Sequence, residues 1–329
     1  MFNDSNADLI IRTSDNVCFR VHRLILSLSV PVFATMFTLP QISNPLDQPD
    51  PTDPITVTAL VAPSIVDVSE GSRTMQLFLQ LCYPATDPNI KTLAELQGML
   101  EVATKYETDG IKNRIAKLLE KFLKQSSAVH NSIDVYAIAH RYRLERDVRL
   151  AAKQFLQRPL SAISWYQQLD CIPASAYYRL QDYYLRCRTA ASKRFLTGHL
   201  SWATASETKG AHGSPFVWFN CRKCAGSPAI KISNNEEVQP TEWWSDYMQS
   251  VSVTLSDVPC FSTEAMTSAK DRALEAAVEC SKCRAKVIPQ MTAFQSLISA
   301  EIESAIESVS FLKSPSQDFV KCARTDVIL

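Results

Sequence analysis

Along the first forty residues the spacing of hydrophobic positions changes period twice. Leu9, Ile10 and Ile11 form a short apolar run, and Ser14-Asp15-Asn16 is turn chemistry. Val17, Phe19 and Val21 then alternate with Cys18 and Arg20, the period of a half-buried strand, so a hairpin is predicted. After His22 the apolar positions Leu24, Leu28, Val32, Phe33, Met36 and Phe37 recur at steps of three and four, and Pro31 stands where a second helix can begin. From Leu39 to Pro63 the chain is rich in proline and aspartate, which predicts a long solvated loop. Ile65, Val66 and Val68 predict a short strand, and Met75, Phe78, Leu79 and Cys82 share one face of a helix that Pro84 ends. Two more amphipathic helices follow, one carrying Leu93, Leu96, Leu100 and Ala103, the next Ile111, Ile115, Leu118, Leu119 and Phe122, with a break near Asp109-Gly110.

Helical periodicity continues through residues 128–200, with a faint internal echo. Ala103 and Tyr106 return as Ala139 and Tyr142, and Ala116 and Leu119 as Ala152 and Phe155, each 36 positions on. Successive helical hairpins and chance similarity both account for it. Leu200 to Pro215 is small and polar, the composition of a linker. Beyond it lie a tryptophan-rich piece around Trp243 and Trp244, and a predicted helix from Ile288 to Leu312. That helix carries an apolar stripe of Met291, Phe294, Leu297, Ile298, Ile302, Ala305, Ile306 and Val309, read as docked core. The predicted organisation is 1–125, 128–200, 212–313 and a tail over 314–329, an α+β domain followed by mostly helical ones.

Composition narrows the function. At 329 residues two or three domains are expected. Lysine plus arginine and aspartate plus glutamate each number 34, so no global field draws the chain to a polyanion. A locally basic stretch, from His140 to Arg158, spreads its charges around a solvated helix, and the area around Cys221 and Cys280 is not markedly basic. No nucleic-acid partner is predicted. With 7 glycines there is no G-x-G-x-x-G or G-x-x-x-x-G-K-[ST] phosphate loop. G-x-S-x-G, H-E-x-x-H and the deaminase motif are also missing, so the chain reads as a non-enzyme and a cryptic active site is the weakest alternative. The start of the chain has no basic segment leading into an apolar core, and no run of about 18 apolar residues occurs, from which a cytoplasmic or nuclear protein with no membrane partner is expected.

Cys221 and Cys224, and Cys280 and Cys283, are each C-x-x-C. Two residues between thiolates let a tight knuckle aim both sulfurs at one ion, and two knuckles complete a closed tetrahedral site of structural type. Structural zinc, buried free thiols and redox use of one pair are all open, since 55 residues separate the pairs. Gly226 is expected to free the turn after Cys224. Cys260 and His212 are spare ligand candidates, while most of Cys18, Cys82, Cys171, Cys187 and Cys322 are expected to be small apolar fillers.

Asp8, Phe19, His22, Arg23, Leu26, Ser29, Phe33, Met36 and Phe37 fall in order on the opening pattern of a BTB/POZ domain, which residues 7–125 resemble. The segments "LFLQLCYPA" and "LEVATKYETDGIKNRIAKLLEKFL" resemble its later helices, with departures at Pro84-Ala85 and Thr108. The helical extension and C-terminal cysteine pairs are similar to the layout of fungal BTB-domain proteins. What the resemblance implies is a small mixed sheet flanked by helices, homodimerisation through the first helix with Asp8 and Arg23 as the charged pair of the dimer groove, and an adaptor role. Some members engage cullin-type scaffolds and hold a ubiquitin-ligase substrate elsewhere on the chain; others are transcriptional or chromatin regulators. Asp8 and Arg23 as exposed strand-end charges, and His22 as a histidine fixed by hydrogen bonds at the strand-to-helix corner, are the plainer readings.

Overall fold

A computed structural model of the chain describes residues 2–39, 63–84, 88–124, 129–162, 167–195, 199–200, 202, 215–232, 237–261 and 263–311. The proline-rich stretch over 40–62, most of the linker including His212, Cys322 and the tail over 314–329 lie outside the described residues. The chain divides into two compact units, Met1–Gln125 with Tyr142–Asp147, and Ser126–Arg141 with Val148–Leu329.

The first unit opens with the hairpin of β1 (Leu9–Arg12) and β2 (Cys18–Val21), turned through Asn16, whose φ of 60° is a conformation asparagine tolerates. β1 also pairs in parallel with β3 (Ser64–Asp67), giving a mixed sheet of order β2-β1-β3 with Leu9 opposite both Val21 and Ser64. Leu9, Ile11, Phe19 and Val21 all face inward, because side chains on a strand alternate. Against them pack α1 (Arg23–Ser29), α2 (Pro31–Thr38), α3 (Ser72–Cys82), α4 (Leu93–Lys105) and α5 (Asp109–Lys124). The apolar stripe of each helix supplies the core: Leu26, Phe33, Met75, Phe78, Leu96, Leu100, Ile115 and Leu119 are all buried. Phe33 stacks on Tyr106 at 5.0 Å between centroids and on Phe37 at 6.0 Å.

Helix ends explain where these elements stop. Thr92 accepts the Glu95 N–H at 3.1 Å while the Glu95 carboxylate accepts the Lys91 N–H at 2.8 Å, a reciprocal cap that starts α4. The Gly71 N-cap of α3 has no side chain, and Asp15 of the hairpin turn serves instead, accepting the Ser72 N–H at 3.0 Å and the Ser72 hydroxyl at 2.5 Å.

The faint echo has a backbone counterpart. α4 ends at Lys105 and α5 starts at Asp109; α6 (Val129–Arg141) ends and α7 (Glu145–Phe155) starts 36 positions later. Glu107 and Arg143, again 36 apart, both turn the chain with positive φ, 55° and 57°. The tyrosine before each is buried, Tyr106 and Tyr142. Equivalent left-handed corners at equal offset favour successive hairpins over chance.

In the second unit the stretches 128–200 and 212–313 pack together. The long α8 (Ala174–Arg194) lies against α9 (Glu242–Leu255) and α12 (Val287–Glu307), burying Leu180, Tyr183, Tyr184, Cys187 and Ala191. The Tyr184 hydroxyl lies 2.7 Å from the carbonyls of both Arg158 and Asp257, joining α8 to two loops. α9 packs on α10 (Glu264–Val278), and α11 (Ser281–Arg284) is a single turn between α10 and α12. Residues 128–200 are not wholly helical as expected: β4 (His199–Leu200) joins β5 (Ile230–Ile232) and β6 (Glu237–Val238) in a small sheet. Strands of two or three residues are too short to leave a periodicity. Met291, Phe294, Ile298, Ile302, Ala305 and Ile306 of α12 are buried, so its stripe is docked core.

Candidate functional site

Two places combine side chains in ways that packing alone does not require. The first is α1 of the first unit. Its N-terminal N–H groups lack helical partners, and Asp8, just before β1, accepts the Arg23 backbone N–H at 2.9 Å. The Arg23 guanidinium turns elsewhere, donating to the Ser64 hydroxyl on β3 and lying over the Phe37 ring at 5.2 Å. Asp8 and Arg23 are therefore neighbours joined through backbone, and no ion pair between their side chains occurs among the described residues. His22 sits at the corner. Its N–H donates to the Tyr83 hydroxyl at 2.8 Å, its Nδ1 lies 3.4 Å from the same oxygen, and its Nε2 is 3.7 Å from the Asp4 carboxylate.

Beside Arg23 the surface is apolar. Leu24 and Leu28, one helical turn apart, are 69% and 80% exposed, and Ile65, next to Ser64, is 55% exposed. Single exposed leucines need no explanation, but two on one helix face form an exposed apolar patch; Ile65, alternating with Ser64 along β3, lies on the other side of the sheet.

The second place is the cysteine cluster. The four sulfurs of Cys221, Cys224, Cys280 and Cys283 all lie within 4.8 Å of one another. Cys221 Sγ is 3.7 Å from Cys280 Sγ, and Cys224 Sγ is 3.9 Å from Cys283 Sγ. Zinc–sulfur bonds of about 2.3 Å make a tetrahedron with edges of about 3.8 Å. A disulfide would need about 2.05 Å.

The chain on both sides fixes this cluster. Phe216 and Trp218 anchor the 3-10 turn Val217–Phe219 in an aromatic core with Trp243, Trp244 and Phe294, so the first knuckle starts from a rigid base. Gln290 of α12 accepts the Val217 N–H at 2.8 Å. The Thr241 N–H donates to the Trp218 carbonyl at 2.8 Å and the Glu242 N–H to the Cys224 carbonyl at 3.1 Å, locking the start of α9 against the knuckle. From the other side the Lys282 ammonium donates to the Asn220 carbonyl at 2.8 Å. Gly226 differs from expectation: its backbone is not left-handed, and a Cβ there would make only an ordinary contact with the Glu242 carboxylate at 3.5 Å, so neither conformation nor space demands a glycine.

Electrostatics divide the thiols. Cys280 is the N-cap of α11, and the Cys283 N–H aimed at its sulfur brings its pKa down to about 6. Burial pushes Cys224 up to about 11 and raises Cys283 as well. One thiolate is therefore favoured and four together require a cation. These donors suit zinc by type, number and spacing.

Cys260 stands outside the cluster. Cys82 and Cys187 are buried fillers as expected, whereas Cys18 and Cys171 are exposed, Cys18 because it occupies the outward face of β2. Among the described residues no helix is long and apolar enough to cross a membrane.

No curated protein matches this chain. Residues 1–127 match the sequence model of the BTB/POZ domain. That span covers the mixed sheet, the helices packed on it and the exposed face of α1. Residues 1–127 of this chain thus form a BTB/POZ domain, a module for protein–protein interaction.

Proposed function

We propose that the chain is a non-enzymatic assembly protein of the cytoplasm or nucleus. It self-associates through its BTB/POZ domain and captures a protein partner through the second unit, as a substrate adaptor for a cullin-type ubiquitin ligase. The observation that carries the first half is the exposed pair Leu24 and Leu28 on α1, next to Arg23. A two-fold interface sets the same patch against itself, so each apolar residue would be covered by its counterpart, while Asp8 and Arg23 hold α1 and β3 in register at the groove. Supporting the non-enzymatic reading, Cys280, the thiol held well below its ordinary pKa, belongs to a cluster whose four donors leave a bound ion no open position.

In the second unit Cys221, Cys224, Cys280 and Cys283 would hold one structural zinc. Its chemistry there is that of a closed four-thiolate staple. The residues around it hold the knuckles: Gln290 and Thr241 fix the first, and the backbone of α11 stabilises the anionic sulfur of Cys280.

Light scattering on the intact chain tests self-association. The expected mass is that of a dimer, and Leu24→Asp with Leu28→Asp gives a folded monomer. A wild-type monomer, or a double variant that stays dimeric, would reject this use of α1. Affinity purification with mass spectrometry then asks whether the dimer recovers a cullin, as the adaptor role requires, or chromatin proteins, the outcome of the regulator reading.

A further inference from the structure

Net charge over the whole chain is zero, but the cysteine cluster concentrates positive charge in one place. Arg222 and Lys223 lie between the two ligands of the first knuckle, and Lys282 lies between those of the second, with Arg284 and Lys286 directly after. No acidic residue occurs from Asn220 to Ile232 or from Cys280 to Pro289. Each knuckle taken singly is a modest run of two or three cations. Because the four sulfurs lie within 4.8 Å of one another, the fold joins the two runs into one surface of five.

All five side chains are exposed. Lys282 and Arg284 each spend one donor on a backbone carbonyl, of Asn220 and Val278, and keep their charge at the surface. Arg222, Lys223 and Lys286 have no carboxylate partner among the described residues. The nearest acids in sequence are Glu279, one residue before Cys280, and Glu242, beside Gly226. Glu242 and Glu279 offset two of the five cations and a four-thiolate zinc, −2 overall, would offset two more, so the pull on phosphate comes from exposed cations set over a more buried anionic centre.

We infer that this surface binds the phosphate backbone of duplex nucleic acid without reading its sequence. The inference goes beyond the proposed capture of a protein by the second unit, and adds a nucleic-acid ligand at the cysteine cluster. Three observations favour a duplex over an acidic protein or a single strand. Lysine is depleted in protein–protein interfaces, whereas surfaces that meet nucleic acid are far more cationic. Between Asn220 and Gly226, and between Cys280 and Lys286, there is no aromatic side chain on which an unpaired base could stack. Three of the five cations, Lys223, Lys282 and Lys286, are lysines, compact point charges that suit phosphate oxygens. Lysine and arginine on backbone pinned by one cluster form a set of point charges suited to phosphates.

The test is fluorescence anisotropy of a labelled 25-base-pair duplex of random sequence with the intact, metal-loaded chain across a salt series. Three to five phosphate contacts give a slope of log affinity against log salt between about −2.7 and −4.5, a loss of about 40- to 500-fold from 50 to 200 mM. The variant Arg222→Gln, Lys223→Gln, Lys286→Gln leaves ligands and core untouched, and flattens the slope by about 2.7. Lys223→Gln and Lys286→Gln taken singly each flatten it by about 0.9. No binding at 50 mM salt, or a slope that none of these variants changes, overturns the proposal. So does tighter binding of a 20-residue polyglutamate, which assigns the surface to an acidic protein. Light scattering on the same triple variant keeps the two readings separate: a dimer that fails to bind duplex condemns the charged surface alone, and a monomer condemns the assembly reading.

Discussion

The two units of this chain solve the same problem, burying enough apolar surface to stay folded, by different means. The BTB/POZ domain does it with a sheet whose inward residues Leu9, Ile11, Phe19 and Val21 meet helices that each bury a full stripe, so its stability is spread over many contacts. The second unit also has an aromatic core, around Trp218, Trp244 and Phe294. It interrupts that core with two knuckles whose thiols come from positions 59 residues apart. In the proposed function a shared ion would bridge that separation. The difference teaches that the first unit tolerates the loss of any one contact better than the second tolerates the loss of a single sulfur.

Removing the metal is the harshest test of that contrast. Apparent binding free energies for structural zinc are about 10–16 kcal/mol, as large as the whole stability of a domain. Chelation, or Cys283→Ser, is expected to erase hydrogen-exchange protection across α9 to α12 while α3 to α5 exchange as before. Elemental analysis of the purified chain is expected to give one zinc per chain. Metal-free protein with full protection in α9 to α12 would reduce the cluster to four apposed thiols and remove the contrast.

A smaller effect is expected from cutting into the first unit. Phe33 is almost fully buried and stacks on Tyr106 and Phe37. Phe33→Ala is predicted to cost about 3–5 kcal/mol, since it removes a large side chain and leaves a cavity that rigid aromatic neighbours cannot fill. Exchange in β1, α2 and α4 would rise together while the second unit holds its protection and its zinc. Should both units lose protection in step, the division into separately stabilised parts is wrong.

The same contrast governs what could be read beforehand. In the first unit each described strand and helix was legible, because each announces its period within a few residues; the face of α1 was not, since the periodic Leu24 and Leu28 are exposed and Leu26 is the buried residue. The partners of Asp8 were not. Mutual pairing with Arg23 was the natural expectation for two opposite charges, yet the carboxylate serves the helix terminus and the guanidinium a hydroxyl and a ring. Spacing within each C-x-x-C was likewise local and legible. Their meeting across 55 intervening residues was only one of three readings, because nothing in a linear chain encodes which distant segments a core brings together. The combined charge of Arg222, Lys223, Lys282, Arg284 and Lys286 was invisible for the same reason. The 36-residue echo became convincing only through Glu107 and Arg143, residues whose types give no hint of a left-handed corner.

The mildest perturbation is acid. Asp15 bridges the hairpin turn to α3, and hydrogen bonds from Ser72 first and Thr13 second hold its carboxyl below the ordinary aspartate range. A carboxyl depressed in the folded state contributes stability that is complete above its unfolded pKa, about 3.9, and is lost as pH falls through the lower folded value. Exchange at the start of α3 is therefore expected to quicken only below about pH 4, and Asp15→Asn to flatten that dependence with a small loss of protection at neutral pH. In the second unit acid acts sooner, because a thiolate site releases its metal as protons compete for sulfur. Titration of one chain followed by hydrogen exchange should thus show α9 to α12 opening first and the start of α3 later; the reverse order would place the acid-labile joint in the BTB/POZ domain instead of the cluster.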